Sequence, residues 1–328
     1  MFNIILLKLN IYFCLANKIF IFRKFDHQSL RMNKNFNIII TAFVIWISLY
    51  TNAQIELLAS GIFVLSLGLM HGSNDINLLQ ELLIKNKTQK WILIGLYISL
   101  GATVFMLSFY WRVLGLIVFM LFSSYHFGEQ HLHNKLSASK TKAIDFTLYG
   151  LVIFSMMFAT HQSDVQFLIL QMTGWNITGI PLNLITLYLV GLLILSWIRQ
   201  YKFFKREIFE EIFYLLMFYV VFFNTELPLS FAVYFVIWHA IPSIKDQILI
   251  EGYALNYKSA LRYFKQSYLY WLVSVFGIFL LAKVYDYIGN GLFPILFAAL
   301  VAITFPHIIL ITRLFQKLNQ PQNTKEGH

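Results

Sequence analysis

Nine histidines stand among the 328 residues, and four of them sit where a histidine is costly. His71, His126, His239 and His307 fall late within long apolar runs, not in the polar stretches between them. Ionisable residues in such runs usually face the interior of a helical bundle or a functional cavity. Neutral imidazole is a good ligand for iron, copper or zinc. Each of the four could instead hydrogen-bond a neighbouring helix, but four meeting inside an oily bundle point to a shared metal site. The single cysteine, Cys14, excludes an intramolecular disulfide, a CxxC redox pair and any cysteine-rich metal site. A metal here must be held by histidine and carboxylate.

The neighbours of the four support that reading. His71-Gly-Ser-Asn-Asp75 and His126-Phe-Gly-Glu129 each place a carboxylate one turn on, on the histidine's own face. Asp75 and Glu129 are thus candidates to accept the second imidazole N–H, to ligate directly, or to cap polar helix ends. Trp238-His239-Ala-Ile-Pro242 and Phe305-Pro306-His307 set a proline beside the other two. Each proline frees a backbone carbonyl and favours a kink. Gly72 and Gly128 permit close helix approach. Tyr125, Phe127, Tyr234 and Trp238 are candidate walls of a tunnel for a long apolar ligand, although lipid contact and core packing account for most aromatics in the chain.

The remaining histidines are expected elsewhere. His27 and His328 lie in the tails, and His161 closes the outer end of a helix as a solvated or interfacial side chain. His131 and His133 follow His126 toward the cytoplasm and are expected at the surface.

These residues need helices to carry them, and the composition supplies a membrane bundle. The chain is 59% apolar and 12% charged, with a mean hydropathy of +0.67; a soluble domain carries roughly 25% charged residues. Ten apolar segments of about spanning length run 36–53, 55–77, 91–110, 112–132, 144–161, 182–198, 207–223, 228–250, 267–287 and 291–312. The expected fold is all-α, a polytopic transmembrane bundle of about ten helices around a histidine-lined metal site. The stretches 163–180 and 257–265 read as re-entrant or interfacial pieces. Residues 1–31 form an extension without a convincing signal-cleavage site, with Met32 opening a cleaner start. Residues 32–316 form the bundle, and 317–328 a disordered tail.

Charge sets the expected orientation. Alternate connections hold Lys85, Lys87 and Lys90; Lys135, Lys140 and Lys142; Arg199, Lys202, Lys205 and Arg206; Lys258, Arg262 and Lys265. The opposite connections hold almost none, so both ends of the bundle are expected inside. The excess of ten positive charges lies between apolar runs, where it serves topology and anionic lipid and not nucleic acid. In that topology all four histidines come 11–16 residues after the start of outside-to-inside helices. That is roughly 17–24 Å of helix, which puts them at a similar depth.

The blocks GLMHGSNDINLL, SSYHFGEQ, YFVIWHAIPS and FPHIIL together resemble the Brp/Blh family of integral-membrane β-carotene 15,15′-dioxygenases. The matches run from about residue 61 to 312. The resemblance implies a non-haem Fe(2+) centre that uses O2 to cleave β-carotene centrally into two retinal molecules. It places His71, His126 and His239 on the family's motif histidines, His307 on its late Pro-His, and Asp75 on the acidic position of the first block. Many members carry a further histidine four positions after the one matching His239; here that position is Ser243. The ligand set therefore stands at three or four histidines. The resemblance further implies an inner-membrane location and delivery of retinal to a rhodopsin-type protein.

Other readings fit less well. A di-iron desaturase would need about eight histidines in HxxxH and HxxHH boxes, whereas the only close pair is His131-Leu-His133. A carotenoid- or haem-binding membrane protein without cleavage activity is the main alternative. A transporter would show half-to-half symmetry, which the chain lacks.

Overall fold

The computed structural model describes residues 35–83, 86–133, 135–136, 139, 141–205, 207–288 and 293–318. The extension 1–31, the tail from 319 on, His27 and His328 lie outside them. Among the described residues there is no strand, and the fold is a bundle of α-helices. We number them α1 (Asn35–Ser48), α2 (Ala53–Phe63), α3 (Leu69–Ser73), α4 (Asp75–Leu83), α5 (Lys87–Tyr110), α6 (Arg112–Leu132), α7 (Lys142–Thr160) and α8 (Gln162–Thr173). There follow α9 (Leu182–Arg199), α10 (Tyr201–Phe204), α11 (Ile208–Asn224), α12 (Leu227–Ala232), α13 (Ile241–Ile250), α14 (Tyr257–Ile288) and α15 (Phe293–Leu318). Two π-helical stretches, Val64–Gly68 and Val233–Ala240, join α2 to α3 and α12 to α13.

A helix lies in each of the ten expected segments. Among the described residues, seven helices are long and apolar enough to cross a membrane: Ala53–Gln80, Thr88–Tyr110, Lys142–Thr160, Leu182–Arg199, Leu227–Ile250, Tyr257–Val284 and Phe293–Leu314. The three others fall short for different reasons. α1 and α11 have 14 and 17 residues as described. α6 has the length, with 21 residues, but its second half is Ser-Ser-Tyr-His-Phe-Gly-Glu-Gln-His. The stretch 257–265 is not a separate interfacial piece. It forms the first turns of the 32-residue α14, because no proline or glycine interrupts the run from Tyr257 to Gly277.

The outer surface carries large apolar side chains in the open, among them Ile39, Leu58, Ile98, Leu187, Phe223 and Phe276. That is what helices facing acyl chains require, since lipid tails are as apolar as leucine. Inside, the chain packs through small residues. Gly128 on α6 lies against the backbone of Phe146 on α7, and Gly150 on α7 lies against the backbone of Ser124. A Cβ at either glycine would overlap the opposite main chain, so the pair fixes α6 and α7 at backbone contact.

Buried carboxylates sit where cations and helix ends can balance them. Asp145 in the first turn of α7 pairs with Arg199 at 2.7 Å and accepts from Gln200 at 2.8 Å. Glu211 in the first turn of α11 pairs with Lys135 and accepts the Tyr149 hydroxyl at 2.6 Å. Early helical positions favour negative charge. The basic loop residues expected only to orient the bundle thus also neutralise its buried acids.

Candidate metal centre

Three of the four histidines sit at an irregularity in their helix, and His126 rides on the regular α6. His71 follows the π stretch Val64–Gly68, and His239 lies within Val233–Ala240. Single-turn π stretches inside α-helices are frequent at functional sites because they re-aim the side chains that follow. Trp271 on α14 caps the first stretch by donating its indole N–H to the carbonyl of Leu65 at 2.6 Å. Pro306 lies inside α15 one residue before His307. It has no N–H to offer the carbonyl of Ala302, four residues back. Gly101 of α5 packs against that carbonyl; a Cβ there would meet the oxygen at 3.2 Å.

The four rings form a closed cycle. Ring centroids lie 5.1 Å apart for His71–His239, 4.7 Å for His239–His126, 5.3 Å for His126–His307 and 4.8 Å for His307–His71. All four residues are buried. His71, His239 and His307 each offer a nitrogen within 4.8 Å of the other two. His126 shares the cycle but not that mutual set of nitrogens. Adjacent rings are too close for a haem plane to lie between them.

Hydrogen bonds fix two of the rings from behind. His71 donates from Nδ1 to the carbonyl of Gly68. His307 donates from Nδ1 to Asp75, with the two carboxylate oxygens at 2.9 and 3.0 Å. Both rings are thereby held in the tautomer that leaves Nε2 as a lone-pair donor. The Nε2 of His307, the Nδ1 of His239 and both nitrogens of His126 are buried without a hydrogen-bond partner. Unsatisfied buried nitrogens cost about 1–3 kcal/mol each, and a metal ion is the group that would satisfy them together. The donor set fits a divalent transition metal bound by imidazole.

The carboxylates do not serve the histidines that sequence spacing paired them with. Asp75 supports His307, not His71. Asn74 interrupts the regular helical turn between α3 and α4, so the i,i+4 face is not carried straight from His71 to Asp75. Glu129 has no hydrogen bond to His126. It accepts the hydroxyls of Tyr125 at 2.8 Å and Thr312 at 2.9 Å. Tyr125 stands one turn earlier on the same face of α6, and its long side chain claims the carboxylate.

Behind His71 lies a polar network whose pairing sequence spacing does not reveal. Gln247 on α13 donates to the carbonyl of His71 at 2.9 Å and accepts from Tyr263 at 3.0 Å and Asn74 at 3.2 Å. Asn74 also donates to Glu251 at 3.0 Å. Ser243 is buried beside Gln247, at 3.3 Å. The last carbonyls of a helix have no partner within it, and here α13 and α14 provide one. Tyr97 is a second unanticipated member, donating its hydroxyl to Asp75 at 2.6 Å. Neither residue carries a motif signal: Gln247 is 176 positions from the His71 carbonyl it holds, and Tyr97 is 22 from Asp75.

The expected tunnel residues separate into two groups. Phe127 is buried with its ring 4.6 Å from that of His239, and Tyr125 is half-buried. Tyr234 and Trp238 turn away into a packed aromatic core with Phe218, at 5.2 and 5.0 Å. His131 stacks against both, at 6.0 and 6.2 Å, and is half-buried there, not at the surface. The reason is helical: His131 points toward α11 and the π stretch, where rings fill the space. His133 is half-buried as well. His161 is held rather than solvated, linking the end of α7 to the carbonyl of Thr225 at 2.7 Å. A cavity of about 610 Å³ lies instead between α5, α14 and α15, lined by Asp75, Tyr97, Gly101, Val273 and Pro306 among others.

A family model described as beta-carotene 15,15'-dioxygenase matches residues 62–315, a span that holds all four ring histidines. The chain belongs to that family. Membership in the beta-carotene 15,15'-dioxygenase family supports dioxygenase chemistry on a carotene in general, and the histidine cluster suggests the metal. No curated protein and no solved structure matches the chain.

Proposed function

We propose that this protein cleaves β-carotene at its central 15,15′ double bond with O2, giving two retinal molecules, at an Fe(2+) held by His71, His126, His239 and His307. One observation carries the reading: four buried imidazoles from four separate stretches close into a ring with nitrogens left unsatisfied, in a chain of this family. When bound, the iron supplies the activation of O2 that no side chain provides.

The protein's own residues do the rest. Gly68 and Asp75 hold the protons of His71 and His307 on Nδ1 and so aim Nε2 inward. His126 would be the fourth ligand, since no hydrogen bond commits either of its nitrogens elsewhere. Ser243 stands where many family members have histidine, and it supports Gln247 rather than the metal. Phe127 excludes water beside His239 and forms one wall for the polyene, with Tyr125 at its edge. Tyr234 and Trp238 back that wall from the aromatic core. Asp75 and Glu129 are buried carboxylates that orient, respectively, His307 and the α6–α15 contact.

The ten apolar segments, seven of them membrane-length helices among the described residues, and the basic alternate loops support placement in the inner membrane with both ends of the bundle cytoplasmic. Retinal released there would reach a rhodopsin-type protein through the bilayer. The test is expression in β-carotene-producing bacteria supplied with iron. Loss of orange colour with accumulation of retinal is expected. Persistent carotene alongside normally inserted protein would overturn the proposal, and a Soret band in the purified protein would favour haem binding instead.

A further inference from the structure

The geometry points to Tyr97 as a positioning residue that acts through Asp75 to keep the metal-facing nitrogen of His307 available. The inference rests on the metal-centre reading above and extends it to a residue outside the four sequence blocks that carry the resemblance.

Tyr97 sits midway along α5, and its hydroxyl donates to Oδ2 of Asp75 at 2.6 Å. The same carboxylate accepts the Nδ1 proton of His307, with its two oxygens at 2.9 and 3.0 Å. Asp75 is buried and lies in the first turn of α4. A carboxylate with a single donor can turn about its own axis and present either oxygen. With donors from two different helices it has one orientation, set by both. α5 supplies one donor and α15 the other, so the relay also measures the spacing between these helices. That spacing is close by construction, because Gly101 on α5 lies against the carbonyl of Ala302 one turn before His307.

The consequence concerns the tautomer. With a proton on Nδ1 held by Asp75, Nε2 of His307 carries a lone pair and no hydrogen, and it is the nitrogen buried without a partner. If the carboxylate swings away, nothing fixes the proton on Nδ1, and the ring can place it on Nε2, where it blocks ligation. Residues that support a metal-bound histidine in this way typically alter metal affinity 10–100-fold when removed. Tyr97 acts one bond further out, so the effect expected is at the low end, roughly tenfold.

The test uses the full chain in detergent, stripped of metal and titrated anaerobically with Co(2+), whose visible absorption bands report coordination geometry. Tyr97→Phe keeps the ring and removes only the hydroxyl. The expected result is roughly tenfold weaker Co(2+) binding with altered band positions, in a metal-free protein that still folds and melts cooperatively. Unchanged affinity and bands would overturn the inference. So would a variant that fails to accumulate as folded protein, since Tyr97 would then be a packing residue. His307→Ala in parallel separates this from the reading beneath it. Loss of the bands in His307→Ala with full retention in Tyr97→Phe removes only the role of Tyr97. Full retention of Co(2+) in both removes the metal-centre reading itself.

Discussion

Gln247 on α13 donates its side-chain N–H to the backbone carbonyl of His71, 2.9 Å away and 176 positions earlier in the chain. Its own carbonyl accepts from Tyr263 and Asn74, so one amide joins three helices behind the metal centre. Gln247→Leu removes both functions and deprives His71, Tyr263 and Asn74 of one hydrogen bond each, at about 0.5–1.5 kcal/mol per bond. A lower melting temperature of the detergent-solubilised protein is expected, together with reduced metal content. Parent-like melting would show that the network is not what holds His71.

The reciprocal glycines of α6 and α7 make a sharper packing prediction. Gly128 is two residues from His126, and any side chain there meets the backbone of Phe146. Gly128→Val is expected to abolish monodisperse, folded protein on size-exclusion chromatography. Gly191→Ala on α9, where a Cβ meets nothing within 4 Å, is expected to elute as the parent does.

Pro306 gives a case in which helix stability and function part company. Pro306→Ala restores the backbone N–H that α15 lacks at that turn, a change that favours helix by up to about 3 kcal/mol. A regular bond to Ala302 at the turn that carries His307 should shift that ring out of register with Asp75. Higher thermal stability with weaker metal binding, measured by titration of the metal-free protein, is the expected pair of results. Gain in both would mean that α15 holds His307 without the proline.

His161 should behave oppositely to the four ring histidines. Its Nε2 bonds the carbonyl of Thr225, tying α7 to the start of α12 well away from the ring. His161→Ala is expected to lower the melting temperature while leaving metal content at the parent level. Loss of metal in that variant would place His161 in the centre's support.

These cases show which parts of the site were readable from residues alone. Helix positions followed from apolar run length, and the common depth of His71, His126, His239 and His307 followed from counting along those runs; the ring of imidazoles bears this out. What spacing could not supply was the rotation of one helix against another. The break at Asn74 and the two π stretches reset the angular register. Asp75 therefore meets His307 and not His71, and Tyr234 and Trp238 face the core. Tyr97 and Gln247 lie outside the four blocks that mark the site, and a lone tyrosine or glutamine in an apolar run has many possible partners. His131 is similar: its polarity argued for the surface, and four surrounding rings decided otherwise.

The most direct measurement takes the purified protein, loads it anaerobically with Fe(2+), and adds β-carotene and then O2. Carotene consumed and retinal formed are both quantified by chromatography. The account predicts two retinal molecules for each β-carotene consumed, and no turnover by His239→Ala, which is also expected to retain no iron. Iron-loaded protein that leaves β-carotene intact, or that gives cleavage products of unequal length, would contradict it.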